Sequence, residues 1–458
     1  MASNVLLLNI CYDYPTVTEG VFSGINKIWQ PISLAYSMAM LRDAGIKARL
    51  VDANAERLEA KDSGRLAESH DLVFVSTSAY DRWECPHLDL EPAKVTCKAI
   101  RETHPKAIII LVGSHATVRA EHMLRMTGAD AAIIGEPENA ILEASKASDP
   151  LTAPGVAYLS DGGKLISNPP PGSVDIEALP LPDYSGLPME RYSFDMLGAS
   201  FRVIETSRGC PFQCNFCLKK MFGGYRRKSI DKVKGEIRQL MDGHGVKNIN
   251  FVDLEFTLEP NYVIKLCQWM EKEAPGIMWA CQTRLDTVSA ELLAHMKRAG
   301  CKLIMYGVES ADQKMLDAVG KNITIEAIRD GIAATKKAGI DSLCFFMYGF
   351  PGDGPDDWER TVDFAIELSP DYASFFLCRP YPGTGCYDAS KAIDEGVFPL
   401  GVGDHERLLM LKAFTDKAFS RFYFRPSFIL RRILKGDFSL IIRQLRLFLH
   451  KRGWLEHA

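Results

Sequence analysis

The feature that most limits what this chain can fold into is an alternation of short apolar runs with amphipathic segments, present in two blocks. In the first block, runs at 5–10, 47–52, 71–77, 107–112 and 131–134 alternate with helical patterns at 31–44, about 91–103 and 119–127, and Gly45 is a natural stop for the first helix. Strands that alternate with helices pair in parallel and are covered on both faces. Ligands of such sheets bind beyond the carboxyl ends of the strands. Here that rule selects the loops 9–14, 76–80, 113–117 and 135–138. The second block has strands at 201–206, 248–253, 277–282, 302–307, 341–348 and 372–377, with helices near 231–242, 260–272, 289–298, 324–338 and 355–368. In parallel barrels, too, the active residues gather at the carboxyl ends of the strands.

Eight prolines from Pro150 to Pro188 separate the blocks and predict a linker packed between domains. The expected organisation is a doubly wound α/β domain over 1–148, a linker over 149–195, a second β/α domain over 196–392 and a basic helical region over 393–458. A length of 458 residues suits two or three domains. The net charge of −4 argues against nucleic-acid binding. Nine of the twelve cysteines are scattered, as in a reducing compartment. The N-terminus resembles a strand rather than a signal peptide, and no run approaches the roughly 18 apolar residues that span a bilayer. A cytoplasmic location is expected. Residues 417–458 hold ten Lys and Arg against Asp437 and Glu456, with a helix expected over 439–452. This region is either a helical cover for the second domain, the preferred reading, or a basic amphipathic surface for peripheral contact with an anionic membrane.

The remaining three cysteines, Cys210, Cys214 and Cys217, form a C-x3-C-x2-C run. A zinc site wants a fourth ligand at short range, and the nearest candidates, His244 and Cys267, are not in knuckle spacing. Three soft thiolates instead suit a 4Fe-4S cluster with one iron left open. The run resembles the signature of the radical S-adenosylmethionine (SAM) superfamily. That resemblance implies a partial (β/α)6 barrel, a cluster held by the three cysteines, and reductive cleavage of SAM to a 5′-deoxyadenosyl radical that abstracts hydrogen from substrate. It also implies roles at successive strand ends: Phe216 against adenine, Asp253 and Glu255 for the SAM amino group, Arg284 for its carboxylate, and Glu309 in the G-x-E-S element for ribose.

The first block resembles the Rossmann-like cobalamin-binding domain that precedes many radical SAM domains. The matching features are the helix before Gly45 followed by Val51-Asp52-Ala53-Asn54, the 113–117 loop and Gly135-Glu136-Pro137-Glu138. Ser76, Thr77, Gly113, His115, Gly135 and Glu136 are then the expected cobalamin contacts. The D-x-H-x-x-G motif, whose histidine ligates cobalt in the mutases, is missing: the first loop offers Asp13 and no histidine before His70. His115 is read as a loop residue rather than a substitute ligand. Together the resemblances imply a cobalamin-dependent C-methyltransferase. Radical cyclisation, ring contraction, dehydration or deoxygenation without methyl transfer is the alternative. The implied partners are a small-molecule or natural-product substrate and an external electron donor such as flavodoxin or ferredoxin.

Overall fold

The structure, a computed structural model, describes residues 4–12, 27–77, 90–218, 222–388, 390, 405–434 and 436. Asp13, the 78–80 part of the second loop and the helix expected over 439–452 lie outside the described residues.

The first block forms a seven-stranded sheet in the order Ala48–Asp52, Val5–Asn9, Leu72–Ser76, Ile108–Val112, Ala131–Ile133, Val156–Leu159, Leu165–Ser167. The first five strands are parallel, and helices cover both faces. Every side chain of Val5–Asn9 and Leu72–Ser76 is buried, which is why these strands appear in sequence as unbroken apolar runs rather than alternating ones. The strand order reverses between Val5–Asn9 and Leu72–Ser76, so the crevice of the sheet opens beside Asn9, Ser76 and Thr77. The stretch expected to be a plain linker adds two antiparallel strands, Val156–Leu159 and Leu165–Ser167, to the far edge. Their proline-rich surroundings hide so short a hairpin from a reading based on period.

The second block forms six parallel strands in sequential order: Phe201–Ile204, Asn248–Phe251, Met278–Thr283, Cys301–Glu309, Asp341–Tyr348 and Tyr372–Leu377. Three of the connecting helices start where hydroxyl caps place them. Ser229 accepts from Lys232 N, Ser289 from Leu292 N and Thr324 from Ala327 N. The barrel is open, and both edge strands have backbone groups met by a side chain. Gln30 Nε2 donates to Phe201 O and Gln30 Oε1 accepts from Val203 N, both at 3.0 Å. At the other edge Tyr423 Oη donates to Ala373 O at 2.7 Å and accepts from Ala373 N at 3.0 Å. Such capping blunts an edge that would otherwise pair with another chain.

Phe201, Val203, Ala280, Leu303, Met305 and Leu343 point into the barrel and share one apolar cluster with Trp29, Ile32 and Tyr36 of the first domain. The helices His405–Tyr423 and Pro426–Leu434 close over the last strand. Three of their arginines reach the barrel: Arg421 onto Glu359 and Asp363, Arg431 onto Ser369 O and Pro370 O, and Arg432 onto Asp371 O. The described part of the basic region therefore packs against the barrel, with Leu430 and Leu434 left exposed. Among the described residues no helix is long and apolar enough to cross a membrane.

Candidate active site

The cysteine loop lies between two short antiparallel strands, Ser207–Arg208 and Arg226–Arg227, just beyond the first barrel strand. Gly209 opens it with φ +80; a Cβ there would lie 2.8 Å from Gly223 O and 3.0 Å from Gly224 O, so the turn admits only glycine. Cys210 and Cys214 are half-buried and Cys217 is exposed. Asn215 ties the loop to the fourth strand's connection, with its N donating to Val319 O at 2.9 Å and its Nδ2 to Ala318 O at 3.1 Å. Among the described residues no group of three or more His, Cys, Asp or Glu side chains gathers closely enough to hold a single metal ion. Cluster thiolates bind separate irons and need not converge on one point.

Asp253, at the end of the second strand, is fully buried. It accepts from Thr206 N (3.0 Å), Thr206 Oγ1 and Ser207 Oγ, so it anchors the stem of the cysteine loop. Burial raises its pKa against the opposing effects of Arg227, Ser207 and Thr206. Glu255 sits two residues on. It accepts from Thr283 Oγ1, from Arg284 N at 3.1 Å and from Thr287 Oγ1 at 3.0 Å, and burial again raises its pKa against these bonds. Arg284 is held bidentately by Asp286 at 2.8 and 2.6 Å, donates to Lys321 O at 2.7 Å, and lies 4.0 Å over the Phe212 ring. Its guanidinium is thus engaged within its own turn.

Glu309 closes the fourth strand in the left-handed region, φ 69, a strained conformation typical of functional positions. Its carboxylate pairs with Lys321 at 3.1 Å, both side chains 8% exposed. Gly307 makes this pair possible: a Cβ there would lie 2.4 Å from Glu309 Oε1 and 2.6 Å from Lys321 Nζ. Burial alone would lower the Lys321 pKa, but Glu309 and Cys214 outweigh it and hold it above the usual value. Lys321 escaped the sequence reading because it belongs to no motif at a strand end; it follows the helix Gln313–Ala318. Phe216 meets Phe350 edge-on at 5.5 Å beside Val319 and Cys378. The structure thus brings Glu255, Arg284, Glu309, Lys321 and Cys214 together at the barrel mouth.

In the first domain the predicted contacts line the carboxyl ends of the strands. Ser76 Oγ donates to Asn9 Oδ1 at 2.8 Å, Thr77 Oγ1 to Val112 O at 2.9 Å, and Gly135 N to Thr117 Oγ1 at 3.0 Å. Gly113 adopts φ 107 and His115 is fully buried. Ser114 Oγ is buried with no hydrogen-bond partner among the described residues, a polar position suited to a bound ligand. Glu136 is committed elsewhere: it binds Arg226 and lies 3.5 Å from Arg208. Burial alone would raise its pKa, but the two guanidiniums hold it below the usual carboxylate range.

A doubly wound domain beside an open six-stranded barrel, with a three-cysteine loop between them, defines a two-domain enzyme of cofactor-borne radical chemistry. Residues 204–365 match the Radical SAM superfamily and residues 20–145 the B12 binding domain. The chain thus carries a radical SAM domain and a B12-binding domain. It is 29% identical over 459 residues to an uncharacterized methyltransferase of Pyrococcus horikoshii, covering 96% of this chain and 98% of that one. It is 27% identical over 369 residues to the anaerobic magnesium-protoporphyrin IX monomethyl ester cyclase of Rubrivivax gelatinosus, covering 77% of this chain and 65% of that one. The cobalamin-dependent S-adenosylmethionine radical enzyme OxsB, with aqua-cobalamin and S-adenosylmethionine bound, matches with TM-score 0.72 and 16% identity over 98% of this chain and 72% of that one. TsrM from Kitasatospora setae, a radical S-adenosylmethionine methyltransferase with cobalamin and a 4Fe-4S cluster bound, matches with TM-score 0.66 and 18% identity over 84% of this chain and 74% of that one. At these identities the likeness to the solved structures is one of fold. The family implies a 4Fe-4S cluster, SAM and cobalamin, and the residues present fit them: a three-cysteine loop with Cys214 beside the cations Arg284 and Lys321, and a polar crevice with a buried Ser114 hydroxyl that has no hydrogen-bond partner among the described residues.

Proposed function

We propose that the protein is a cobalamin-dependent radical SAM methyltransferase acting on a small-molecule substrate. The observation that carries this reading is the seating of the cysteine loop against the 135–138 turn, so that both cofactor regions meet at one interface. Bound there, the cluster supplies the electron for SAM cleavage and the corrinoid a methyl carrier.

The chain's own residues bind and orient. Cys210, Cys214 and Cys217 would hold the cluster as thiolates, with Arg284 and Lys321 beside Cys214. Glu255 is the carboxylate for the SAM amino group, and Asp253 holds the loop stem behind it. Lys321, rather than Arg284, is the cation for the SAM carboxylate: Asp286 satisfies Arg284 bidentately, whereas Lys321 is held through one oxygen of Glu309 and keeps further N–H donors. Glu309 orients Lys321 and presents its second oxygen to ribose. Phe216 and Phe350 offer an aromatic wall to adenine. In the first domain Ser76, Thr77, Gly113, Ser114 and Gly135 contact the corrinoid. An external donor such as flavodoxin or ferredoxin supplies the electron.

The cyclase relatives favour a second reading, radical rearrangement or cyclisation without methyl transfer. Anaerobic reconstitution with iron, sulfide and hydroxocobalamin, followed by metal analysis and product analysis with SAM and a strong reductant, separates the two. About four irons and one cobalt per chain, with S-adenosylhomocysteine formed, supports methyl transfer. Four irons without cobalt, with 5′-deoxyadenosine as the sole SAM product, refutes it in favour of the second reading.

A further inference from the structure

The loop that carries the three cysteines has two stems, and each sends one arginine to the same turn of the first domain. Arg208 donates to Glu138 at 3.1 and 3.3 Å and to Glu205 at 3.1 Å, and lies 3.5 Å from Glu136. From the other stem, Arg226 donates to Glu136 at 3.0 Å. The side chains of Arg208, Glu138 and Glu205 are no more than 2% exposed. The turn is itself bonded to the 113–117 loop: Thr117 Oγ1 accepts from Gly135 N at 3.0 Å and donates to Gly113 O at 2.9 Å. A continuous set of contacts therefore runs from the crevice of the first domain to the residue two positions before Cys210.

Buried carboxylate–guanidinium pairs of this kind are stiff. Displacing one partner leaves the other charge buried and uncompensated, which is strongly disfavoured. The turn and the loop stem thus move together. Ordering either side by a ligand removes part of the ordering cost at the other.

We propose that the Glu138–Arg208 clamp couples the two cofactor sites, so that a cluster on Cys210, Cys214 and Cys217 and a corrinoid at the 113–117 loop each tighten the other's binding. The inference rests on the cobalamin-dependent reading given above. Glu138 and Arg208 are positioning residues in it, since neither touches a reacting atom. Reciprocity requires the same factor in both directions.

The test is the affinity of the full chain for hydroxocobalamin, measured anaerobically by equilibrium dialysis with and without the reconstituted cluster. The wild type is expected to bind at least about fivefold more tightly when the cluster is present. In Glu138→Gln that ratio falls towards one while iron loading and cobalamin binding persist, and Glu138→Asp recovers part of it. Thr117→Val cuts the same contacts at their far end without touching an ion pair. It shrinks the ratio too, and it decides the matter if Glu138→Gln does not fold. A ratio near one in the wild type, or an undiminished ratio in a variant that holds both cofactors, overturns the clamp. Absence of cobalamin binding in the wild type overturns the proposed function as well, and the cobalt content tells the two failures apart.

Discussion

Asp52 is a buried acid whose proton affinity is set by the fold, and its replacement by asparagine gives a sharp test. It ends the strand Ala48–Asp52 and accepts from Asn9 Nδ2 at 2.8 Å, Ala55 N at 3.1 Å and Tyr192 Oη at 2.8 Å. Burial pushes its pKa up to about 6 from 3.8, and the hydrogen bonds only partly oppose that rise. Between these two values the native state keeps a proton that the unfolded chain has released. Stability from this group is therefore present below the unfolded value and is lost as pH rises through about 6. The difference of about two units corresponds to about 3 kcal/mol against the folded state at neutral pH. Asparagine has the same shape, accepts from Asn9 and Ala55 through its oxygen, and donates to Tyr192 Oη through its nitrogen. In urea titrations Asp52→Asn is expected to equal or exceed the wild type in stability at pH 7.5. Its advantage should shrink by about 2 kcal/mol on going to pH 4.5. Parallel stability–pH curves for the two proteins would refute the reasoning, because they would mean that Asp52 titrates alike in the folded and unfolded chains.

Three further outcomes are expected. Cys214→Ala loses bound iron and SAM cleavage while its circular dichroism stays that of a folded α/β protein; retained 5′-deoxyadenosine formation would sink the cluster assignment. Lys321→Met leaves Glu309 buried without its cation, costs about 3–5 kcal/mol in denaturant titration, and weakens SAM binding at least about tenfold with iron content unchanged; unaltered calorimetric SAM affinity contradicts its assigned role. Tyr423→Phe strips the edge strand of the hydroxyl that serves Ala373, costs about 1–3 kcal/mol, and raises amide exchange at Ala373; unchanged exchange there disproves the capping.

The alternation of apolar runs was enough to place all six barrel strands and the five parallel strands of the first sheet, because parallel strands buried on both faces leave an unmistakable trace. The cysteine loop was equally plain. Partnership was not. Arg284, Asp253 and Glu136 fall at the strand ends where the sequence puts them, yet each meets a neighbour that its motif does not name. Asp286, two residues away in the same turn, claims Arg284; Thr206 and Ser207, distant in sequence, claim Asp253; Arg226 and Arg208 claim Glu136 from another domain. Which charge pairs with which is settled by packing, and packing leaves no period in the sequence. Lys321 shows the converse. It is central in the structure and unremarkable in the chain, since its place depends on the cavity that Gly307 leaves.

The apolar cluster that joins Trp29, Ile32 and Tyr36 to the barrel interior means that neither half of this protein is a portable cassette. A chimera with a foreign N-terminal half must supply a matching stopper, or Phe201, Val203 and Leu303 are left facing water at the barrel's centre. The same arrangement sets a hazard during synthesis. The N-terminal half emerges from the ribosome first, and its three stopper side chains stay uncovered until the barrel strands follow, so the nascent chain shows chaperones a sticky patch that the finished protein conceals.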